Sequence, residues 1–426
     1  MRLLYDLAFL IFGIFYLPYL IITKRYKYGM KERFGILPKK VKELSRDNKI
    51  IWIHGVSVGE IKLATILAPL FRKMFPNHKI IFSTVTGTGN KIARGIRKND
   101  EAIIYLPFDI SMITNRVVKM IKPEIFICLE TELWPNLISS LDRYSSKIIL
   151  LNGRISQRSF LGYKKIGYIT KNILEKFSLI LMQSEEDRAR IIELGAVKEK
   201  AYVTGNLKFD LSTIKEVPLI KETRGRLGLE DKEVLLIGGS THKGEEKVLL
   251  ECYRKLKESY KNLRLLLAPR HPERTRGIEK FVRKNGLEAT RISNLFTDHG
   301  LRITDHVFIL DTIGELKDMY SAGDLVFMGG SLVKKGGQNL IEPANFEKPV
   351  IIGKYVFNFH DVVNIFIKNN ACIQVSNRSE LYTSLKKLLD SHKERKELGV
   401  RARKTVLENQ GSAQRSLDLI LSAYHK

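Results

Sequence analysis

From Lys49 onward, short apolar runs in this chain alternate with stretches whose apolar residues recur at helical spacing. The stretch Trp52-Ile53-His54-Gly55-Val56-Ser57-Val58-Gly59-Glu60 sets the pattern: Lys49 to Ile53 starts a strand, a Gly- and Ser-containing turn comes next, and Ile61 to Met74 repeats at helical period. Strand, tight turn and helix make the first βα unit of a doubly wound sheet, in which ligands bind where strands end. Glu60 falls on that rim. It either caps the helix or presents a carboxylate to a cleft, and the helix dipole favours both. The spacing Gly-x-x-x-Gly is not the dinucleotide fingerprint Gly-x-Gly-x-x-Gly.

The alternation predicts further strands at Lys79–Thr84, Ile103–Leu106, Ile125–Leu129, Lys147–Leu151, Leu179–Gln183 and Tyr202–Val203. Residues 211–231, charged and carrying Pro218, read as a linker. Strands then resume at Val234–Ile237, Leu263–Ala268, Val307–Leu310 and Leu325–Met328, a Gly-rich turn over Lys334–Glu342 leads into another helix, and Ser379–Lys426 reads as helices. Strands spaced by helices mean parallel sheets covered on both faces. Two such Rossmann-like halves facing a cleft give an α/β chain of the two-domain glycosyltransferase type (GT-B). The expected divisions are an anchor at 1–23, a first domain at 24–211, a second at 212–405 and a closing helix at 406–426.

The amino terminus departs from this pattern. Leu3 to Ile22 is almost wholly apolar, with Asp6 its one charge, and is about as long as a bilayer core is thick. Lys24, Arg25, Lys27, Lys31 and Arg33 come directly after, which by the positive-inside rule keeps the bulk of the chain cytoplasmic. No small-residue cleavage site marks a signal peptide. Asp6, Gly13 and Pro18 leave open a helix that lies in the interface instead of spanning it.

Composition sharpens the choice of partner. Lys and Arg number 72 against 46 Asp and Glu, a formal charge of +26, which calls for a polyanion: nucleic acid, an anionic membrane or a phosphorylated substrate. The basic residues are spread along the chain and no nucleic-acid module is legible, which disfavours an anchored nucleic-acid-binding protein. Cys128, Cys252 and Cys372 lie far apart, so neither a disulfide framework nor a zinc knuckle is expected, and the nine histidines form no metal-ligand spacing.

The candidate chemistry lies at strand ends. In the second half, Gly329-Gly330-Ser331 and Gly336-Gly337-Gln338-Asn339 offer unhindered backbone N–H groups of the kind that hold phosphate. Arg270 could bind a phosphate oxygen, and Glu342 could accept from ribose hydroxyls or simply belong to a helix start. Ser240 and Thr241 are expected to start and cap a helix. In the first half, Glu60, Glu130, Glu132, Arg154 and Lys208 project from neighbouring strand ends, with Trp134-Pro135 as a wall. A carboxylate there could take a proton from a sugar hydroxyl and a lysine could steady charge, or the set could be a structural ion-pair network.

These motifs carry a resemblance. Val56-Ser57-Val58-Gly59-Glu60, Glu130-Thr131-Glu132-Leu133-Trp134-Pro135-Asn136, Gln183 to Asp187, Gly205 to Asp210, Gly239 to His242, Pro269 to Pro272, Asp311 to Leu316, Gly329 to Leu332, Gly336 to Asn339 and Glu342 to Ala344 occur in order along nearly the whole chain. Together they resemble the 3-deoxy-D-manno-octulosonic acid (Kdo) transferases of lipopolysaccharide assembly. The resemblance implies an inverting, metal-independent transferase without a cofactor, moving Kdo from CMP-Kdo to a lipid A precursor (lipid IVA) on the cytoplasmic side of the bacterial inner membrane, held by a single amino-terminal anchor. It implies Glu60 as general base, with Glu130 and Lys208 stabilising the transition state. Pro269, Arg270, Thr312, Ile313, Gly314, Glu315, Gly336, Gly337, Gln338 and Asn339 fall on the CMP site, with Glu342 beside it. Gln338 departs from the family pattern, which has histidine there. Another membrane-surface transferase using a UDP-sugar is the rival enzyme reading.

Overall fold

The computed structural model describes residues 5–11, 13, 29–211, 220–295 and 307–425. Lys49–Gly55 (β1) lies between two parallel neighbours and is buried from Ile50 on, so its apolar residues sort by parity. Ile50 and Trp52 enter one core layer with Ile81 and Phe126. Ile51 and Ile53 enter the other with Ile80, Phe82 and Ile127. A strand covered on both faces has no polar face to show, which is why it reads as an unbroken run. Trp52 keeps its one polar atom satisfied by donating from Nε1 to Ser83 Oγ at 2.7 Å.

The first sheet adds His78–Thr84 (β2), Ala102–Tyr105 (β3), Ile125–Leu129 (β4), Lys147–Gly153 (β5), Leu179–Met182 (β6) and Ala201–Val203 (β7), in the order β3-β2-β1-β4-β5-β6-β7. The order reverses between β1 and β4, the switch point beside which ligands bind in such sheets. The second sheet comprises Val234–Thr241 (β8), Leu263–Pro269 (β9), Ala289–Arg291 (β10), Val307–Ile309 (β11), Leu325–Met328 (β12), Val350–Gly353 (β13) and Ile373–Val375 (β14), in the order β10-β11-β9-β8-β12-β13-β14. All its neighbouring strands are parallel. Strands β10, β13 and β14 were not expected. Each is three or four residues long.

The chain divides into two compact units, residues 1–211 with 410–426, and residues 212–409. Residues 406–409 complete the helix His392–Asn409, and the final helix Ser412–His425 returns to the first unit. There Leu417 and Ile420 join the core layer of Ile149 and Leu179. The Asp210 carboxylate accepts from the N–H groups of Gly411 and Ala413 at 2.7 Å each, holding the start of that helix. The expected linker over 211–231 is structured in part. Ile220–Arg226 is helical, and Arg224 meets the Asp324 carboxylate at 3.2 Å within the second unit. Pro218 lies outside the described residues.

At the amino terminus residues 5–11 are helical. Apart from these and Gly13, the expected anchor lies outside the described residues, as do Lys24, Arg25 and Lys27. Among the described residues no helix is long and apolar enough to cross a membrane.

Candidate active-site residues in each unit

In the first unit the strand ends bring Glu60, Glu130, Glu132 and Lys208 to one rim. The helix Val58–Met74 starts at Ser57, whose Oγ accepts from Glu60 N, while Glu60 Oε2 accepts from Val56 N at 2.5 Å. This reciprocal arrangement resembles a capping box. Ser57 is the cap, and the Glu60 carboxylate ties down the residue before it.

Glu130 is the residue at which β4 leaves the sheet. Its backbone is in the left-handed region at φ 60°, a costly conformation for a side chain of this kind, while its N–H still donates to Leu151 O in β5 at 2.9 Å. Thr131 ties the loop to the exit of β5: its Oγ1 donates to Arg154 O at 2.5 Å and accepts from Arg154 N at 3.1 Å. Lys208 Nζ lies 3.9 Å from Glu130 Oε1. Glu132 feels the charges of both Glu60 and Glu130, and burial first, then those two charges, push its carboxyl up to about 7. Arg154 enters this rim through its backbone bonds to Thr131.

Lys208 is placed by a buried amide relay that sequence reading left without a role. Gln183 Nε2 donates to Asn152 O at 2.9 Å, and Asn206 Nδ2 donates to Gln183 Oε1 at 2.8 Å. Asn152 Oδ1 then accepts from Leu207 N and Asn206 Oδ1 from Lys208 N, both at 3.0 Å. Asn152 is fully buried and itself left-handed at φ 60°. Asparagine tolerates that region better than most residues, the one signal in the sequence able to reveal it. His54 at the end of β1 is not a charged partner: burial holds its imidazole down to about 4, with Nδ1 on Ser83 Oγ at 2.9 Å.

In the second unit the expected residues again cluster at strand ends, with two corrections. The N–H groups of Gly330, Ser331 and Leu332 are not open to a phosphate. They donate to the fully buried carboxylate of Glu245 at 2.7–2.9 Å, and His242 N does the same at 2.8 Å. A side chain 85 or more residues away fills this anion nest from within. Ser240 and Thr241 likewise do not start a helix. They close β8, Ser240 at φ 52°, and Thr241 Oγ1 donates to Glu246 Oε1, while the helix Glu245–Ser259 begins after Gly244.

Pro269 ends β9, and Arg270 is exposed with its N–H on Thr241 O at 2.9 Å. The Thr312–Glu315 turn leaves Ile313 88% exposed and Thr312 Oγ1 buried without a hydrogen-bond partner among the described residues, while Glu315 Oε2 lies 3.6 Å from Arg226 Nη2. Gly336 and Gly337 have φ of 93° and 73°. A side chain at Gly336 would collide with Asn358, a Cβ there lying 2.3 Å from its Nδ2. Gln338 Nε2 is 3.5 Å from His242 Nε2. Asn339 Oδ1 accepts from Ile341 N at 3.2 Å, starting the four-residue helix Ile341–Ala344, and its Nδ2 donates to Glu342 Oε1 at 3.3 Å. Among the described residues no three His, Cys, Asp or Glu side chains are grouped to hold a metal ion.

Solved structures with the same two-unit fold include a glycosyltransferase from Rickettsia africae (TM-score 0.57, 16% identity, 89% of this chain and 99% of that one). A UDP-GlcNAc 2-epimerase from Neisseria meningitidis also matches (TM-score 0.57, 12% identity, 88% and 100%). A family model described as glycosyl transferases group 1 matches residues 220–405, so the class is a GT-B glycosyltransferase. The first unit narrows it, for residues 28–211 match the model described as 3-deoxy-D-manno-octulosonic-acid transferase (kdotransferase). The chain is 34% identical to the 3-deoxy-D-manno-octulosonic acid transferase of Haemophilus influenzae over 93% of its own length and 92% of that protein's. It is 31% identical to that of Chlamydophila psittaci over 92% and 89%. It belongs to the Kdo transferase family. It is also 37% identical to a bifunctional glycosyltransferase/methyltransferase of Fusobacterium nucleatum over 80% of its length, and spans 52% of that protein.

Proposed function

We propose that this chain moves Kdo from CMP-Kdo to a lipid A precursor, with inversion and without a metal ion, at the cytoplasmic face of the inner membrane. The observation that carries the reading is the single rim on which Glu60, Glu130, Glu132 and Lys208 meet, inside the segment that matches the Kdo transferase model. Glu60 accepts the proton of the acceptor hydroxyl as its oxygen forms a bond to the anomeric carbon of Kdo. The bond from that carbon to the CMP phosphate oxygen breaks, its electron pair leaving with CMP. Attack from the face opposite the leaving group inverts the centre. Lys208, held against Glu130, stabilises negative charge in the transition state. The Thr312–Glu315 turn and the Gly336–Asn339 loop hold the nucleotide, with the buried Thr312 Oγ1 available to it and Glu342 beside it. The apolar amino-terminal segment and the basic surface keep the enzyme where an anionic glycolipid collects.

The test is transfer from CMP-Kdo to a tetra-acylated lipid A precursor, read by mass spectrometry for wild type and Glu60→Ala. Product from wild type and none from the folded variant is expected, and the product mass counts the Kdo units. Equal product from both would remove Glu60 as the base. Competition by UDP but not CMP would overturn the donor assignment.

A further inference from the structure

Near its start, the amino-terminal helix makes a buried polar contact with the helix that follows the loop carrying Glu130 and Glu132. Asp6 Oδ1 accepts from Ser111 N at 3.0 Å and from Asn136 Nδ2 at 2.7 Å, and Asp6 Oδ2 accepts from Ser111 Oγ at 2.5 Å. Asp6, Asp109 and Asn136 are all nearly inaccessible to solvent. Two helices start here side by side, Ser111–Ile121 after Ile110 and Pro135–Arg143 after Trp134, and neither Ile110 nor Trp134 has a side chain able to cap. Carboxylates brought from elsewhere supply what the local sequence lacks. Asp6 reaches the start of the first helix. Asp109 accepts from Asn136 N and Leu137 N at the start of the second, at 3.2 and 2.8 Å. Asn136 joins the two, donating to Asp109 O at 2.8 Å as well as to Asp6. Tyr5 lies beside the Asp109 carboxylate, and Phe9 packs on Phe108 with ring centroids 6.4 Å apart.

A charge in an apolar amino-terminal segment would be costly in a bilayer. Here it is bound to protein, so the helix at residues 5–11 is seated on its own domain. We propose that Asp6 is a positioning residue: by gripping Asn136 it fixes the amino-terminal end of the helix Pro135–Arg143 and so the Glu130–Trp134 loop, making the amino-terminal helix a strut of the active-site rim as well as a tether. The catalytic part of this inference rests on the Kdo transfer reading; the mechanical part does not.

The experiment uses the full-length protein in detergent micelles and four variants: Asp6→Ala, Asp6→Asn, Asn136→Ala and the Asp6→Ala/Asn136→Ala double. A loop displaced by a fraction of an ångström should lower kcat roughly tenfold or more in Asp6→Ala, with CMP-Kdo affinity in the second unit unchanged. Asp6→Asn keeps an acceptor for Ser111 N and Asn136 and should restore most of kcat. The double variant should be no slower than Asn136→Ala, because both changes cut one connection. Wild-type kcat in Asp6→Ala, or losses that multiply in the double, would overturn the inference. Amide hydrogen exchange across residues 129–137, read on the same proteins without substrate, should speed in Asp6→Ala and not in Asp6→Asn. Unchanged protection there would overturn the strut even if no transfer were observed, whereas faster exchange with no transfer in wild type would leave it standing and count against the Kdo reading. If Asp6→Ala does not fold, exchange in Asn136→Ala decides in its place, with unchanged protection again counting against the strut.

Discussion

Lys208 Nζ stands 3.9 Å from Glu130 Oε1, and each of the two is set in place by a different backbone device. Glu130 reaches the rim through a left-handed residue at the end of β4, and Lys208 through the amide relay Asn152–Gln183–Asn206. Partly buried charges of opposite sign hold each other in register.

Lys208→Ala should therefore lower kcat by roughly 10²- to 10³-fold, the usual cost of losing one transition-state donor, with little change in CMP-Kdo affinity. Asn206→Ala should lower kcat by a smaller factor through the loss of the Lys208 N bond. Steady-state kinetics with donor binding measured separately checks both. A Lys208→Ala enzyme of wild-type kcat would remove the lysine from the reaction.

Glu132 makes a prediction with a sign. Its carboxyl is raised from about 4.5 to about 7, so between those values the native state holds more protons than the unfolded chain. The stability this contributes is present in full below the lower value and is lost as pH rises through the upper one. Glu132→Gln is uncharged at every pH. It should be more stable than wild type above about pH 8 by an amount on the order of 1–3 kcal/mol, and the advantage should vanish near pH 4. Denaturant melts of the two proteins at both pH values test this. A constant difference would mean that the proton is not held on Glu132.

Glu245 tests the filled nest. Glu245→Ala would leave the N–H groups of His242, Gly330, Ser331 and Leu332 buried without an acceptor, a loss of about 3 kcal/mol or more. Chemical denaturation should show the second unit unfolding at lower denaturant in the variant. If phosphate, CMP or another anion restored the midpoint in Glu245→Ala but left wild type unchanged, it would be occupying the place the carboxylate now holds. Wild-type stability without any anion would mean that water satisfies the loop.

The seven strands of the first sheet, four of the second (β8, β9, β11 and β12) and the rim positions of Glu60, Glu130, Lys208 and Thr312 are properties of the sequence by itself. Fully buried parallel strands must be apolar on both faces, and a doubly wound sheet puts the residues after each strand at one edge, so the pattern of runs already names the rim residues. Val350–Gly353 was missed although it is buried throughout, and the helix Ile220–Arg226 lies in a charged stretch whose Arg224 meets Asp324. Only the tertiary structure decided which polar groups satisfy which. Glu245 fills a glycine loop 85 residues downstream, and Asp6 caps a helix 105 residues away and holds Asn136 across 130. Nothing local to Gly330 or Asp6 encodes those partners. A buried hydrogen bond is chosen by where the folded chain places its ends, and that placement comes from the packing of each unit as a whole.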